Sequence, residues 1–159
     1  MVAQAARKMA HAPRRQPKVQ PTLGGSVYVR PQAMEWAKTQ FDKVWIKVLY
    51  EDKAKGEMTC LIKLDPGAHL PMHKHPELEQ AFVLEGSMAD HDGACGAGEY
   101  VWRKAGSFHE NASETGAVIL AIYRKPNMFV DRDGTFSGYD IDKAAAAAAK
   151  PQLRAVKGK

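Results

Sequence analysis

The stretch Gly67–Gly86, GAHLPMHKHPELEQAFVLEG, sets two histidines two residues apart and a glutamate four residues further on. Side chains alternate along an extended backbone, so His73 and His75 share one face. Glu79 opens the next apolar run, and a turn over Lys74–Leu78 folds it back toward them. A third imidazole, His109, follows a glycine-containing turn further along the chain. Three imidazoles and one carboxylate converging on a point make a facial site for a divalent transition metal: iron, manganese, nickel or zinc. A carboxylate buried without a counter-charge costs several kcal/mol, which such an ion offsets. His69 reads as a loop position, and His91, between Asp90 and Asp92, as a solvated hairpin turn.

Strands and tight turns must position these groups. Alternation or apolar runs predict strands at Ser26–Arg30, Val44–Tyr50, Met58–Leu64, Gln80–Leu84, Gly86–Asp90, Glu99–Arg103 and Ala117–Arg124. In Met58–Leu64 the side chains of Met58, Cys60, Ile62 and Leu64 fall on one face. Gln32–Thr39 is expected to form a helical turn with Met34 and Trp36 toward the core. Pro126, Asp133–Gly134 and Gly138 break an edge region that holds Met128, Phe129, Phe136 and Tyr139. Residues 40–125 contain no helical crossover, which excludes an α/β fold. The expected class is all-β, a jelly roll of two layered sheets that can hold a ligand or metal between them.

The chain has 159 residues and a formal net charge of +5, enough for one domain with a sizeable core. The positive charge belongs to the ends. Residues 1–20 carry five Lys or Arg and no acid, and residues 141–159 carry five against one Asp. Between them, residues 21–140 hold 13 basic and 17 acidic groups, which argues against nucleic-acid binding. We expect a flexible basic tail over 1–22, one domain over 23–141, and an Ala-rich short helix with a basic tail over 142–159. Pro151 would stop that helix soon after Ala144–Ala149. No apolar run reaches the ~18 residues of a membrane span. The N-terminus lacks a secretory h-region, and Pro13, Pro17 and Pro21 fit a targeting helix poorly. Cys60 reads as a small core residue and Cys95 as part of a Gly-rich turn, so cytoplasmic residence is expected.

With these residues in place, the chain closely resembles the cupin superfamily, the RmlC-like jelly rolls or double-stranded β-helices. Gly67, His73, His75, Glu79 and Gly86 fit its first motif throughout. Gly98, Gly106 and His109 fit the second, with Lys104 where Pro is usual and Ser113 where Asn is usual; Asn111 stands two residues early. Within the superfamily, VLYEDKAKGEMTCLIKLDPGAHLPMHKH, the segment around AFVLEGSMADHDG and the late MFVDRDGTFSGYD are similar to one subgroup. It contains the ChrR-type anti-sigma cupin domain and small oxygenases that cleave acetylacetone or 2,4'-dihydroxyacetophenone. With only about 20 residues before the expected domain, the helical domain with which the anti-sigma proteins grip their partner is not expected.

The resemblance implies Fe(II), or else Zn, Ni or Mn, held by His73, His75 and His109, with Glu79 as fourth ligand or as a hydrogen-bond acceptor beside them. It implies a dioxygenase cleaving a C–C bond in a β-diketone or hydroxyketone. A non-redox isomerase, lyase or decarboxylase on the same metal is the first alternative, and a metal or small-molecule sensing module the second. Met72, Phe82, Trp102 and Phe108 are candidates for the substrate-pocket wall, or else core. Arg103 and Lys104 either recognise an anionic group or face water, and Glu77 is a base or a solvated turn residue. The expected partners are a small-molecule substrate and a second copy of the chain as a homodimer, extended or exchanged through Val27–Arg30; no nucleic acid and no membrane is expected.

Overall fold

A computed structural model describes residues 25–130 and 135–138. The expected tails, the Ala144–Ala149 helix, Tyr139 and the domain limits at 22/23 and 141/142 lie outside those residues. The chain divides into two compact units, Met1–Glu35 and Trp36–Lys159. In the first, Val27 makes a single bridge instead of the expected Ser26–Arg30 strand. A short 3-10 turn over Pro31–Ala33 follows, closed by Met34 N–H donating to Pro31 O at 3.2 Å. The helical turn expected at Gln32–Thr39 is thus shorter and earlier.

Among the described residues, the regular elements of the second unit are all strands. In chain order these are β1 (Ala37–Lys38), β2 (Val44–Asp52), β3 (Glu57–Leu64), β4 (Ala68–Lys74), β5 (Glu79–Asp90) and β6 (Gly93–Gly96). They continue as β7 (Tyr100–Arg103), β8 (Phe108–Ser113), β9 (Ala117–Tyr123), β10 (Met128–Val130) and β11 (Phe136–Gly138). One sheet runs β1-β2-β3-β9-β5 with β7 on the far side of β5, and the other runs β6-β5-β8-β4-β10-β11. All pairings are antiparallel. The expected all-β jelly roll is what the chain forms.

Alternation builds the core as the sequence predicts. Met58, Cys60, Ile62 and Leu64 are buried on β3 and pair with Tyr123, Ala121, Ile119 and Ala117 on β9, which are buried too. The register sets small against small at Cys60–Ala121–Ala81 and branched against branched at Ile62–Ile119–Val83. Such rows interdigitate at near-crystalline density, and the small row leaves its space to the side chains of the opposite sheet.

Two expected strands, Gln80–Leu84 and Gly86–Asp90, are one. β5 passes from the first sheet into the second, and Gly86 sits where it turns. Its φ is +68°, and a Cβ there would collide with the carbonyl of Gly116. Only glycine satisfies both the dihedral and the close approach. The neighbouring Ser87 N–H then donates to Gly116 O at 3.2 Å and ties the bend to β9's start.

Gly86→Ala is therefore expected to lower stability by roughly 3 kcal/mol or more, or to prevent folding. Gly98→Ala also has a positive φ but open space around its Cβ, and should cost only about 1 kcal/mol. Urea midpoints of the two variants check the contrast.

Candidate metal centre

His73 owes its direction to a defect in β4. Ala68 and Leu70 face inward, so strict alternation would send Met72 in and His73 out. Between Leu70 and His73 the register against β8 shifts: Leu70 pairs with Asn111, but His73 pairs with His109. The extra residue reverses the parity, as a β-bulge does. His73 is then 2% exposed and Met72 40% exposed. His75, two residues on, returns to the same face and is fully buried. Its backbone is pinned by His75 N–H donating to Ser107 O and Gly106 N–H donating to His75 O, at 2.9 and 2.7 Å.

The three rings meet. Their centroids lie 4.4 Å apart for His73–His109, 4.9 Å for His75–His109 and 5.1 Å for His73–His75. One ring nitrogen from each lies within 4.8 Å of the other two. The partners of the other nitrogens decide which these are. His73 Nδ1 faces Pro71 O at 2.8 Å and His109 Nδ1 faces Asp90 Oδ2 at 2.9 Å, both acceptors only. His75 Nδ1 faces Ser107 Oγ at 2.9 Å, and that hydroxyl already spends its hydrogen on Lys104 O at 2.7 Å. All three Nδ1 atoms must donate, so all three Nε2 atoms present lone pairs. His75 Nε2 and His109 Nε2 are buried with no hydrogen-bond partner. A divalent ion fits this donor set, because it satisfies buried lone pairs that no other described residue answers.

Glu79 stands beside this group and outside it. Its Oε1 accepts from Arg103 Nη1 at 3.3 Å and its Oε2 from Asn127 Nδ2 at 2.7 Å. Oε2 also lies 3.5 Å from His75 Nε2, with no hydrogen bond between them. Arg103 reaches Asp90 with its other nitrogen at 2.6 Å, so one guanidinium links Glu79 to the carboxylate that holds His109. Burial lowers the pKa of His73 to about 4, and those of His75 and His109 to about 3; Arg103 and the neighbouring rings add to the effect. Burial also raises Glu79, against the opposing pull of Asn127 and Arg103. At Asp90 burial is outweighed by bonds from Arg103, the Asp92 N–H and His109, which bring it down to about 2.

The expected pocket-wall residues do not border the histidines directly. Met72, Phe82, Trp102 and Phe108 are 40%, 39%, 60% and 45% exposed. None of them lines the space beside the histidines, which is about 20 Å³ and bounded by Ile62, Ala81, Ile119 and Tyr123 among others. Period-two alternation turns Phe82 away from inward Ala81 and Val83, and Trp102 away from Arg103. Arg103 does not face water and is bound to two carboxylates. Asp90 serves both the turn and the site: its Oδ1 accepts the Asp92 and Gly93 N–H at 2.9 and 3.2 Å, while its Oδ2 faces inward to Arg103 and His109. His69 is exposed and contacts Glu110 at 3.2 Å, but it lies on β4 and not on the expected loop; His91 is exposed, as expected. Asn127 and Ser107 carry no signal in the sequence, because their roles depend on contacts 48 and 32 residues away.

Without bound metal, stability should fall as the pH drops from about 6.5 toward 4. The unfolded histidines take up protons near 6.5 and the folded ones only near 4 or below, so the unfolded state binds more protons in that window. Glu79, raised, works in the opposite sense as one group against three. Urea denaturation of metal-stripped protein at several pH values checks the sign. Asp90→Ala should weaken metal affinity by about 10–100-fold through loss of the His109 anchor. Asp92→Ala, whose side chain is 86% exposed, should not; chelator competition separates the two.

Residues 25–126 match the ChrR Cupin-like domain family. No curated protein matches the chain. Among solved structures, an RmlC-like cupin from Ralstonia eutropha JMP134 aligns with a TM-score of 0.65 at 17% identity, over 79% of this chain and 88% of that one. An acetylacetone dioxygenase from Acinetobacter johnsonii gives 0.58 at 16% identity, over 94% and 100%. The complex of Rhodobacter sphaeroides SigE with the anti-sigma ChrR gives 0.51 at 24% identity, over 59% and 50%. These likenesses show the fold. The family match covers more than half of the 159 residues, and the chain belongs to the ChrR cupin-like family.

Proposed function

We propose that this protein is a non-haem Fe(II) dioxygenase that cleaves a C–C bond in a β-diketone or hydroxyketone. The observation that carries the reading is the trio of converging Nε2 lone pairs, those of His75 and His109 buried without a partner, set by Nδ1 bonds to Pro71, Ser107 and Asp90, with Glu79 held back by Arg103 and Asn127. Three neutral ligands leave an ion its full charge and open positions for a bidentate ketone. The jelly roll shared with an acetylacetone dioxygenase at low identity supports the same class. Bound there, the metal would polarise the substrate's carbonyl oxygens and provide the redox chemistry for O2.

The protein's own groups do the rest. His73, His75 and His109 stay unprotonated at neutral pH and hold their lone pairs inward. Glu79 Oε2, its pKa raised by burial, accepts the proton released when the substrate enolises. Arg103 offsets the charge of the Glu79 carboxylate until it takes that proton, and the apolar wall of Ile62, Ile119 and Ala121 excludes water. Cytoplasmic residence and a homodimer belong to the same proposal; Cys60 and Cys95 are both buried and unpaired, as a reducing compartment allows. The small space beside the histidines favours one rival, a metal-sensing module without turnover.

Anaerobic purification, Fe(II) loading and an O2-electrode trace on adding a β-diketone or hydroxyaryl ketone test the proposal. Stoichiometric iron with ketone-dependent O2 uptake is expected, with both lost in His73→Ala. Bound metal without O2 uptake on any ketone would sink the dioxygenase and favour the sensor or a non-redox enzyme. Glu79→Gln should keep its metal while slowing O2 uptake by about 10²-fold, the usual worth of a positioned base.

A further inference from the structure

The space beside the histidines, about 20 Å³, holds an ion or about one water and no ketone. A second cleft of about 660 Å³ adjoins it, within the size range of small-molecule sites. It opens where β6 and β7 part, each paired only with β5 among the described strands. Met88, Asp90 and Cys95 line one wall, Val101, Trp102 and Arg103 the other. Met88 and Arg103 border both the cleft and the small space, so these two side chains form the partition between them.

We propose that this cleft is the organic-substrate site, and that it takes a neutral, partly apolar carbonyl compound and rejects anions. The proposal rests on the ketone-cleaving reading above. Three acids, Asp90, Asp92 and Glu99, border the cleft against one base, Arg103. That base already spans Asp90 and Glu79, so no unpaired cation awaits a carboxylate. Trp102 and Tyr100 supply aromatic surface, and Met88, Cys95 and Val101 an apolar floor. The partition has a weaker side: Arg103 holds Asp90 at 2.6 Å and Glu79 at 3.3 Å. A substrate carbonyl replacing Glu79 as acceptor lets the guanidinium turn while its bond to Asp90 persists, and joins the cleft to the histidines.

A neutral and an anionic probe of like size test this on the full chain loaded with zinc, where no oxidation intervenes. With 4-hydroxyacetophenone, NMR shifts are expected at the Ala94, Cys95 and Val101 amides and the Trp102 indole. 4-Acetylbenzoate should bind at least about tenfold more weakly. Val101→Phe should lose the shifts with its metal content unchanged. Asp92→Lys, at an exposed position, should gain affinity for 4-acetylbenzoate by several-fold. Shifts confined to residues such as Ile119 and Ala121, equal binding of the two probes, or binding undiminished in Val101→Phe would overturn the proposal. If the iron-loaded protein consumes no O2 while the cleft shifts persist, the dioxygenase reading fails and the cleft stands. O2 uptake with a silent cleft overturns the cleft and leaves the dioxygenase standing.

Discussion

Three imidazoles buried together, edge-on or tilted to one another, must each present a lone pair to the same point, and the rest of the site follows from that constraint. Burying them is tolerable only while they are neutral, and burial itself depresses their pKa values far enough to keep them so. Their orientation then depends on what each Nδ1–H can reach. A backbone carbonyl serves His73, a hydroxyl serves His75 and a carboxylate serves His109. The carboxylate is the demanding one, since the Asp90 side chain is itself largely buried. Arg103 answers it, and the same guanidinium answers Glu79. One chain of contacts therefore runs from Asn127 through Glu79, Arg103 and Asp90 to His109.

The fold meets this demand with a few local devices. The irregularity in β4 turns His73 inward and leaves Met72 outside. The bend of β5 at Gly86 lets a single strand supply Glu79 to one sheet and Asp90 to the other. Small residues at Ala81 and Ala121 keep the first sheet from filling the space that the opposite sheet's histidines need. Phe129 on β10 packs against the His73 ring at 5.1 Å and closes the outer side.

Much of this is legible in the sequence wherever a short repeat carries it. The alternation of Met58–Leu64 names its buried face, and the spacing of His73, His75 and His109 names the cluster. Both depend on neighbours a few residues away or on a motif with fixed spacing. The pocket wall misleads because residue type and proximity to the ligands favour Met72, Phe82, Trp102 and Phe108. A bulge and simple strand parity send all four away from the histidines, and of the four Trp102 alone borders the cleft between β6 and β7. Asp90 and Arg103 look like a turn acid and a strand-end base, because a contact between β5 and β7 across 13 residues has no period to reveal it. The sequence places Glu79 beside the histidines, but whether it joins them is decided by Asn127, 48 residues away.

The most direct test of this arrangement is a long-range ¹⁵N–¹H spectrum of the histidine rings in zinc-loaded protein. It reports, ring by ring, which nitrogen carries the proton and which binds the ion. His73, His75 and His109 are each expected to show a protonated Nδ1 and a metal-bound Nε2. His69 and His91 should keep the exchange-averaged pattern of exposed rings. Ligation through any Nδ1, a protonated Nε2 in any of the three, or fewer than three rings responding to zinc would contradict it.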